Sequence, residues 1–277
     1  MHDAKLPVVL ALGGHDPTGG AGLIADGEAI AACGGWALTV PTSLTVQTTR
    51  DVLRVMPCPG DSVRDMVWPL LDEFEIAAIK VGLIAAEQTL DAVEDVIRAC
   101  PGVPVVIDPV LSAGGGSELS SRELVDDLRR RLLPLVDVLT PNRRELARLA
   151  GNQSEDVERV VELLSLGCQA LLITATDEPV PGTAADQVVH TLHTPDSSRQ
   201  WQWPRLANHY HGSGCTLASA LAARLAAGER LVSACEQAQR FAWHSLRHGW
   251  RPGGNGQVLP RRLWQQPTPF TVEEDSL

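Results

Sequence analysis

A chain of 277 residues, 44% hydrophobic and 21% charged, can bury a substantial core as one large α/β domain or two smaller ones. Its formal net charge of -11, with no basic run longer than Arg129-Arg130-Arg131, argues against nucleic acid as a partner, because a phosphate backbone needs a basic face. The apolar run Val8 to Leu12 is too short for a signal core or a membrane span, and the six cysteines (Cys33, Cys58, Cys100, Cys168, Cys215, Cys235) form no Cys-x-x-Cys pair, so a reduced cytoplasmic protein without a membrane partner is expected.

Short aliphatic runs recur along the chain at Val8 to Leu12, Ala37 to Val40, Ala77 to Val81, Val103 to Ile107, Val136 to Leu139 and Ala170 to Thr174. Uninterrupted runs of this length suit parallel strands covered on both faces. Between them, helical patterns span 21–33, 61–74, 89–99, 121–133, 145–150 and 156–166, several ended by glycine. The alternation predicts right-handed crossovers and a doubly wound, mostly parallel sheet with helices on both faces, a three-layer α/β/α fold. Residues 187–193 and 199–203 alternate polar and apolar around Pro195-Asp196-Ser197-Ser198 and predict a late β-hairpin. One domain over 5–263 is expected, with a loosely ordered tail over 264–277.

The segment Tyr210 to Thr216 reads as a glycine loop feeding a buried helix that runs on through Gly228. The first turn of a helix directs unpaired N–H groups at one point, so Gly212, Ser213, Gly214 and Cys215 form a candidate phosphate cradle. The same field would favour the thiolate of Cys215, which could then act as a base near neutral pH; the competing reading is a small buried cysteine beside a cap. The first strand ends in Gly13-Gly14-His15-Asp16-Pro17-Thr18-Gly19-Gly20-Ala21-Gly22, whose spacing is neither a P-loop nor a dinucleotide fingerprint. Gln47, just past the second strand, offers a paired donor and acceptor suited to a heteroaromatic edge. Asp108 closes a strand, and Asn142 and Glu145 follow the next; these hard oxygen donors suit Mg²⁺ or serve only as helix caps. His15, His209 and His211 form no helical ligand pair, so zinc is not expected.

In order along the chain, Gly14-x-Asp16-Pro17-Thr18-Gly19-Gly20-Ala21-Gly22 with Ala25-Asp26, Thr42-x-Leu44-Thr45-x-Gln47, Lys80-Val81-Gly82, Asp108-Pro109-Val110, Thr140-Pro141-Asn142-x-x-Glu145 and His211 to Thr216 resemble the hydroxymethylpyrimidine and phosphomethylpyrimidine kinases of the ribokinase-like superfamily. The resemblance implies a ribokinase-like fold and phosphorylation of 4-amino-5-hydroxymethyl-2-methylpyrimidine, and often of its monophosphate, with ATP and Mg²⁺ in thiamine biosynthesis. It implies that Gln47 and Asp26 address the pyrimidine and its amine, and that Gly14 and Val110 shape the pocket. Gly212 to Cys215 would hold the transferring phosphoryl group with Cys215 as base, Asp108 and Glu145 would organise Mg²⁺, and Asn142, Thr174 and Thr176 would meet the nucleotide. Relatives are often homodimers.

The chain departs from that pattern at Thr174-Ala175-Thr176, where many relatives carry Lys-Gly-Gly, and in the flap Ser112-Ala113-Gly114-Gly115-Gly116, which has no basic residue. A cation from elsewhere, with His15, His209 and His211 as candidates, would have to compensate for a second phosphorylation. Pyridoxal kinase is the competing activity, and a pyrimidine sensor that no longer transfers phosphate is the competing class. The adenine is expected near Ala218 to Leu225 and Trp243.

Overall fold

The computed structural model describes residues 6–112, 118–151 and 153–265. One nine-stranded sheet runs through it in the order β3-β2-β1-β4-β5-β6-β7-β8-β9. Its parallel centre comprises β2 (Trp36–Gln47), β1 (Val8–His15), β4 (Ile76–Val81), β5 (Val105–Ile107), β6 (Val138–Leu139) and β7 (Leu171–Thr174). Three antiparallel strands flank it: β3 (Val52–Pro57) on one edge, and β8 (Gln187–Thr194) with β9 (Ser197–Pro204) on the other.

The strand period sorts β1 onto two cores. Val8, Leu10 and Leu12 face a layer containing α2 (Gly60–Glu73), α3 (Glu87–Ala99), α4 (Arg122–Asp127), α5 (Arg143–Leu149) and α6 (Asp156–Ser165). Val9 and Ala11 face α1 (Gly22–Ala32), α7 (Ser213–Ala226) and α8 (Leu231–Arg247). Because both faces are covered, the strands carry no polar alternation, and the apolar runs in the sequence therefore mark them.

Several elements differ from expectation, among them β1, which runs on to His15, and β5, which begins only at Val105. β2 extends seven residues beyond Val40 and ends on Gln47, held by its pairing with β3, so Gln47 belongs to the strand. The edge strand β3 was not expected, because its exposed faces impose no hydrophobic pattern. The helix predicted over 121–133 breaks into α4, a π turn over Leu128–Leu132 and a 3₁₀ turn over Leu133–Leu135, where Pro134 has no N–H to continue the ladder. The predicted strand over Val136 to Leu139 shrinks to two residues. The hairpin is present as β8 and β9. The flap residues 113–116 and most of the tail, 266–277, lie outside the described residues.

Candidate active site

The loops at the carboxyl ends of the parallel strands enclose a cavity of about 960 Å³. Gly14 and Gln47 line it from β1 and β2, Asp108 and Val110 from the end of β5, and Asn142 and Glu145 from the start of α5. Thr174 lines it from the end of β7 and Thr176 from just beyond, and Gly212, Ser213, Gly214 and Cys215 close it from the start of α7. Trp243 of α8 also lies on its wall.

The glycine loop enters α7 through Gly212, the left-handed N-cap at φ 84°. A Cβ there would lie 1.9 Å from the carbonyl oxygen of Gly20, so glycine lets the two glycine loops touch backbone to backbone. The same demand recurs at Gly22, where φ is 58° and a Cβ would meet the Gly14 oxygen at 2.2 Å. Cys215 is the third residue of α7. Its thiol is pushed up to about 12, chiefly by burial and further by the charges of Asp108 and Asp26, which outweigh Lys80 and a hydrogen bond from the Gly22 amide. Desolvation and the neighbouring carboxylates thus act against the thiolate expected near neutral pH.

Asp108 and Glu145 are both buried. Burial raises the carboxyl of Asp108, and its neighbours act on it in both directions, Lys80 lowering it, Asp26 raising it and a hydrogen bond from the Cys215 thiol lowering it. Burial and the nearby Asp108 charge raise Glu145. Glu145 and Asn142 also form a reciprocal capping box, each side chain accepting from the other's amide at 2.9 Å. Asn142 therefore serves as a helix cap at the cavity wall. Two buried carboxylates, one of them destabilised by the other's charge, suit a divalent cation, and neither makes an ion pair among the described residues. Mg²⁺ is commonly held by one or two carboxylates together with waters and phosphates.

Asp16 organises the first glycine loop. Its carboxylate accepts from the Thr18 amide at 2.8 Å, the Thr18 hydroxyl at 2.9 Å and the Ala21 amide at 2.8 Å, and bonds His211 Nε2 at 2.8 Å. Asp26, in contrast, does not line the cavity. It is fully buried below the floor, with Lys80 Nζ 2.8 and 2.9 Å from its oxygens and the Ser219 hydroxyl donating to it at 2.7 Å. Direct contact between Asp26 and a substrate amine is thus corrected to a supporting role behind Lys80, which does line the cavity. Burial opposes the Lys80 charge, but Asp26 holds that ammonium protonated above the ordinary lysine range.

The sequence profile described as phosphomethylpyrimidine kinase matches residues 16–259. The chain belongs to that family. It is 33% identical over 254 residues to the hydroxymethylpyrimidine/phosphomethylpyrimidine kinase of Streptomyces coelicolor, covering 90% of this chain and 91% of that one. Among solved structures, the ADP complex of Bacillus subtilis pyridoxal kinase has the same fold, with TM-score 0.84, 24% identity and coverage of 95% of this chain and 100% of that one. A phosphomethylpyrimidine kinase from Clostridium difficile gives TM-score 0.72 at 24% identity, covering 86% and 98%. Membership of this family makes the chain a phosphotransferase with a ribokinase-like fold.

Lys80 has no role in the motif that contains it, although a lone lysine in the apolar strand Ile76–Val81 signals a paired buried charge. Three arginines, Arg144, Arg148 and Arg205, also line the cavity with no role in the sequence motifs. Arg148 donates to the carbonyls of Leu111 and Ser120 and to the Ser112 hydroxyl, and Arg205 donates to the Thr176 carbonyl at 3.3 Å. No local motif marks either one.

Proposed function

We propose that the chain phosphorylates 4-amino-5-hydroxymethyl-2-methylpyrimidine, and then its monophosphate, at the expense of ATP with Mg²⁺, supplying the pyrimidine diphosphate of thiamine biosynthesis. The observation that carries this reading is the single cavity in which the α7 glycine loop faces Asp108 and Glu145 while Gln47 lines the β2 side. No helix among the described residues is long and apolar enough to cross a membrane, and all six cysteines are free, which supports a reducing cytoplasm.

Gln47 presents its amide to the pyrimidine edge, with Gly14 and Val110 bounding the ring. Asp108 and Glu145 would hold Mg²⁺, which when bound supplies neutralising charge to phosphate oxygens. Amides at the start of α7 stabilise the charge on the transferring group. Cys215 takes the proton from the substrate hydroxymethyl. It does so in its thiolate form, which the Lys80 charge favours; a loose phosphoryl-transfer transition state needs little base strength, so a small thiolate population is compatible with turnover. Arg205, which donates to the Thr176 carbonyl, supplies positive charge for a substrate that already bears phosphate.

A homodimer through the β2–β3 edge is supported by Leu44 and Met56, paired across the strands with Val46 on the same face, all partly exposed. Light scattering at micromolar concentration measures it. Phosphorus NMR of products from ATP, Mg²⁺ and the hydroxymethylpyrimidine tests the activity. Sequential mono- and diphosphate signals are expected, and a strong preference for pyridoxal in the parallel reaction would overturn the substrate assignment.

A further inference from the structure

The C-terminal segment folds back onto the two glycine loops. Val258 bridges Tyr210, its N–H donating to the His209 carbonyl and its carbonyl accepting from the His211 amide, both at 3.0 Å. Four residues on, Arg262 inserts a guanidinium that is only 1% exposed between the loop after β1 and the first turn of α7.

Every nitrogen of that guanidinium is engaged. Nη2 donates to the Gly20 carbonyl, and Nη1 donates to the Gly19 carbonyl at 3.4 Å and to Glu28 at 3.0 Å. Nε donates at 2.8 Å to the Thr216 hydroxyl, which donates its own proton at 2.8 Å to the Gly212 carbonyl. The chain of contacts joins the β1 loop to the peptide that begins the anion cradle. The Gly212 carbonyl also accepts from the Thr216 amide at 3.1 Å, and because in a trans peptide the C=O and the next N–H point in opposite directions, the two bonds together fix the direction of the Ser213 N–H.

We propose that Arg262 is a positioning residue for phosphoryl transfer, setting the α7 loop against the β1 loop through Thr216. This rests on the reading of Gly212 to Cys215 as the phosphate cradle. Nothing in the sequence near Arg262 marks it, and its partners lie 46 and 242 positions away. A guanidinium suits the task because its planar fork can serve two carbonyls and a hydroxyl at once, which an ammonium on a flexible stem cannot do in the same geometry.

The test measures steady-state kinetics of Arg262→Lys, Arg262→Ala and Thr216→Val, alongside Thr216→Ser. Misplacement of a reacting group by about 1 Å can cost roughly 100-fold, so kcat is expected to fall at least about tenfold in the first three, with KM for both substrates changed less than about threefold. Thr216→Ser keeps the hydroxyl and is expected to retain most of kcat. Added guanidinium is expected to raise kcat of Arg262→Ala, and ammonium is not. If Arg262→Ala does not fold, Arg262→Lys and Thr216→Val decide alone. Folded variants with kcat within about twofold of wild type, or a loss carried wholly by KM, would overturn the proposal. A wild-type chain that transfers no phosphate would instead overturn the kinase reading, so the two failures are distinguishable.

Discussion

The Lys80 ammonium lies 2.8 and 2.9 Å from the two oxygens of Asp26, and neither side chain is more than 1% exposed. The pair sits beneath the cavity, between the end of β4 and the buried face of α1. Removing one partner leaves the other as an uncompensated buried charge. Asp26→Leu and Lys80→Met are each expected to lower stability by about 3–5 kcal/mol, and the double variant Asp26→Leu/Lys80→Met by much less than the sum. Urea unfolding of the four proteins checks this, and additive losses would mean that the ion pair is not the source.

Cys215 provides a chemical readout of its own surroundings. With the thiol raised to about 12, the thiolate fraction is small at neutral pH and grows throughout the alkaline range. Iodoacetamide labelling of the Cys215 peptide, followed by mass spectrometry, is therefore expected to be slow at pH 8 and still accelerating at pH 10. Complete labelling within minutes at pH 7 would show that the helix field dominates after all. Cys215→Ala is expected to lose about 10²- to 10⁴-fold in kcat with substrate affinity retained.

What the sequence made legible follows from which forces are local. The six parallel strands are readable because burial on both faces leaves continuous aliphatic runs, and the anion loop is readable because glycines at 212 and 214 have few uses other than close backbone approach. At Gly214 a Cβ would come within 3.2 Å of an Asp108 oxygen, so that glycine also admits the carboxylate. Asp26 was misplaced because a motif fixes its position in α1 but not which side of the sheet floor its carboxylate meets. The unexpected state of Cys215 depends on Asp108, Asp26 and Lys80, which arrive from three other elements. Arg262 was invisible for the same reason, since its partners are brought to it only by the return of the C-terminal segment.

Asp16 links the site to acid stability. Burial alone would raise its carboxyl, but hydrogen bonds with His211, the Thr18 amide, Gln47 and the Thr18 hydroxyl hold it well below the ordinary range. A depressed folded value means that the group contributes stability above its unfolded value of about 4, and that this contribution is lost as pH falls below it. Asp16→Asn is expected to lower stability at pH 7 by about 1–3 kcal/mol and to flatten the decline between pH 4 and pH 2. Thermal unfolding of both proteins across that range is the measurement, and parallel acid limbs would assign the decline to other groups.

Arg205 separates the two phosphorylation steps. Its guanidinium reaches the Thr176 carbonyl at 3.3 Å from the start of the loop after β9, beside a Thr174-Ala175-Thr176 segment without a cation. The first step presents a neutral hydroxymethylpyrimidine, whereas the second brings a phosphate dianion into a cavity that already contains Asp108 and Glu145. A charge-assisted hydrogen bond is worth about 1.5–3 kcal/mol, so Arg205→Ala is expected to lower kcat/KM for the monophosphate roughly tenfold or more beyond its effect on the unphosphorylated substrate. Arg205→Lys, which keeps the charge, should recover part of that difference. Equal losses on both substrates would place Arg205 with the nucleotide, whose phosphates are common to the two steps, and leave the second phosphorylation to another cation on the wall, of which Arg148 is the nearest candidate by chemistry.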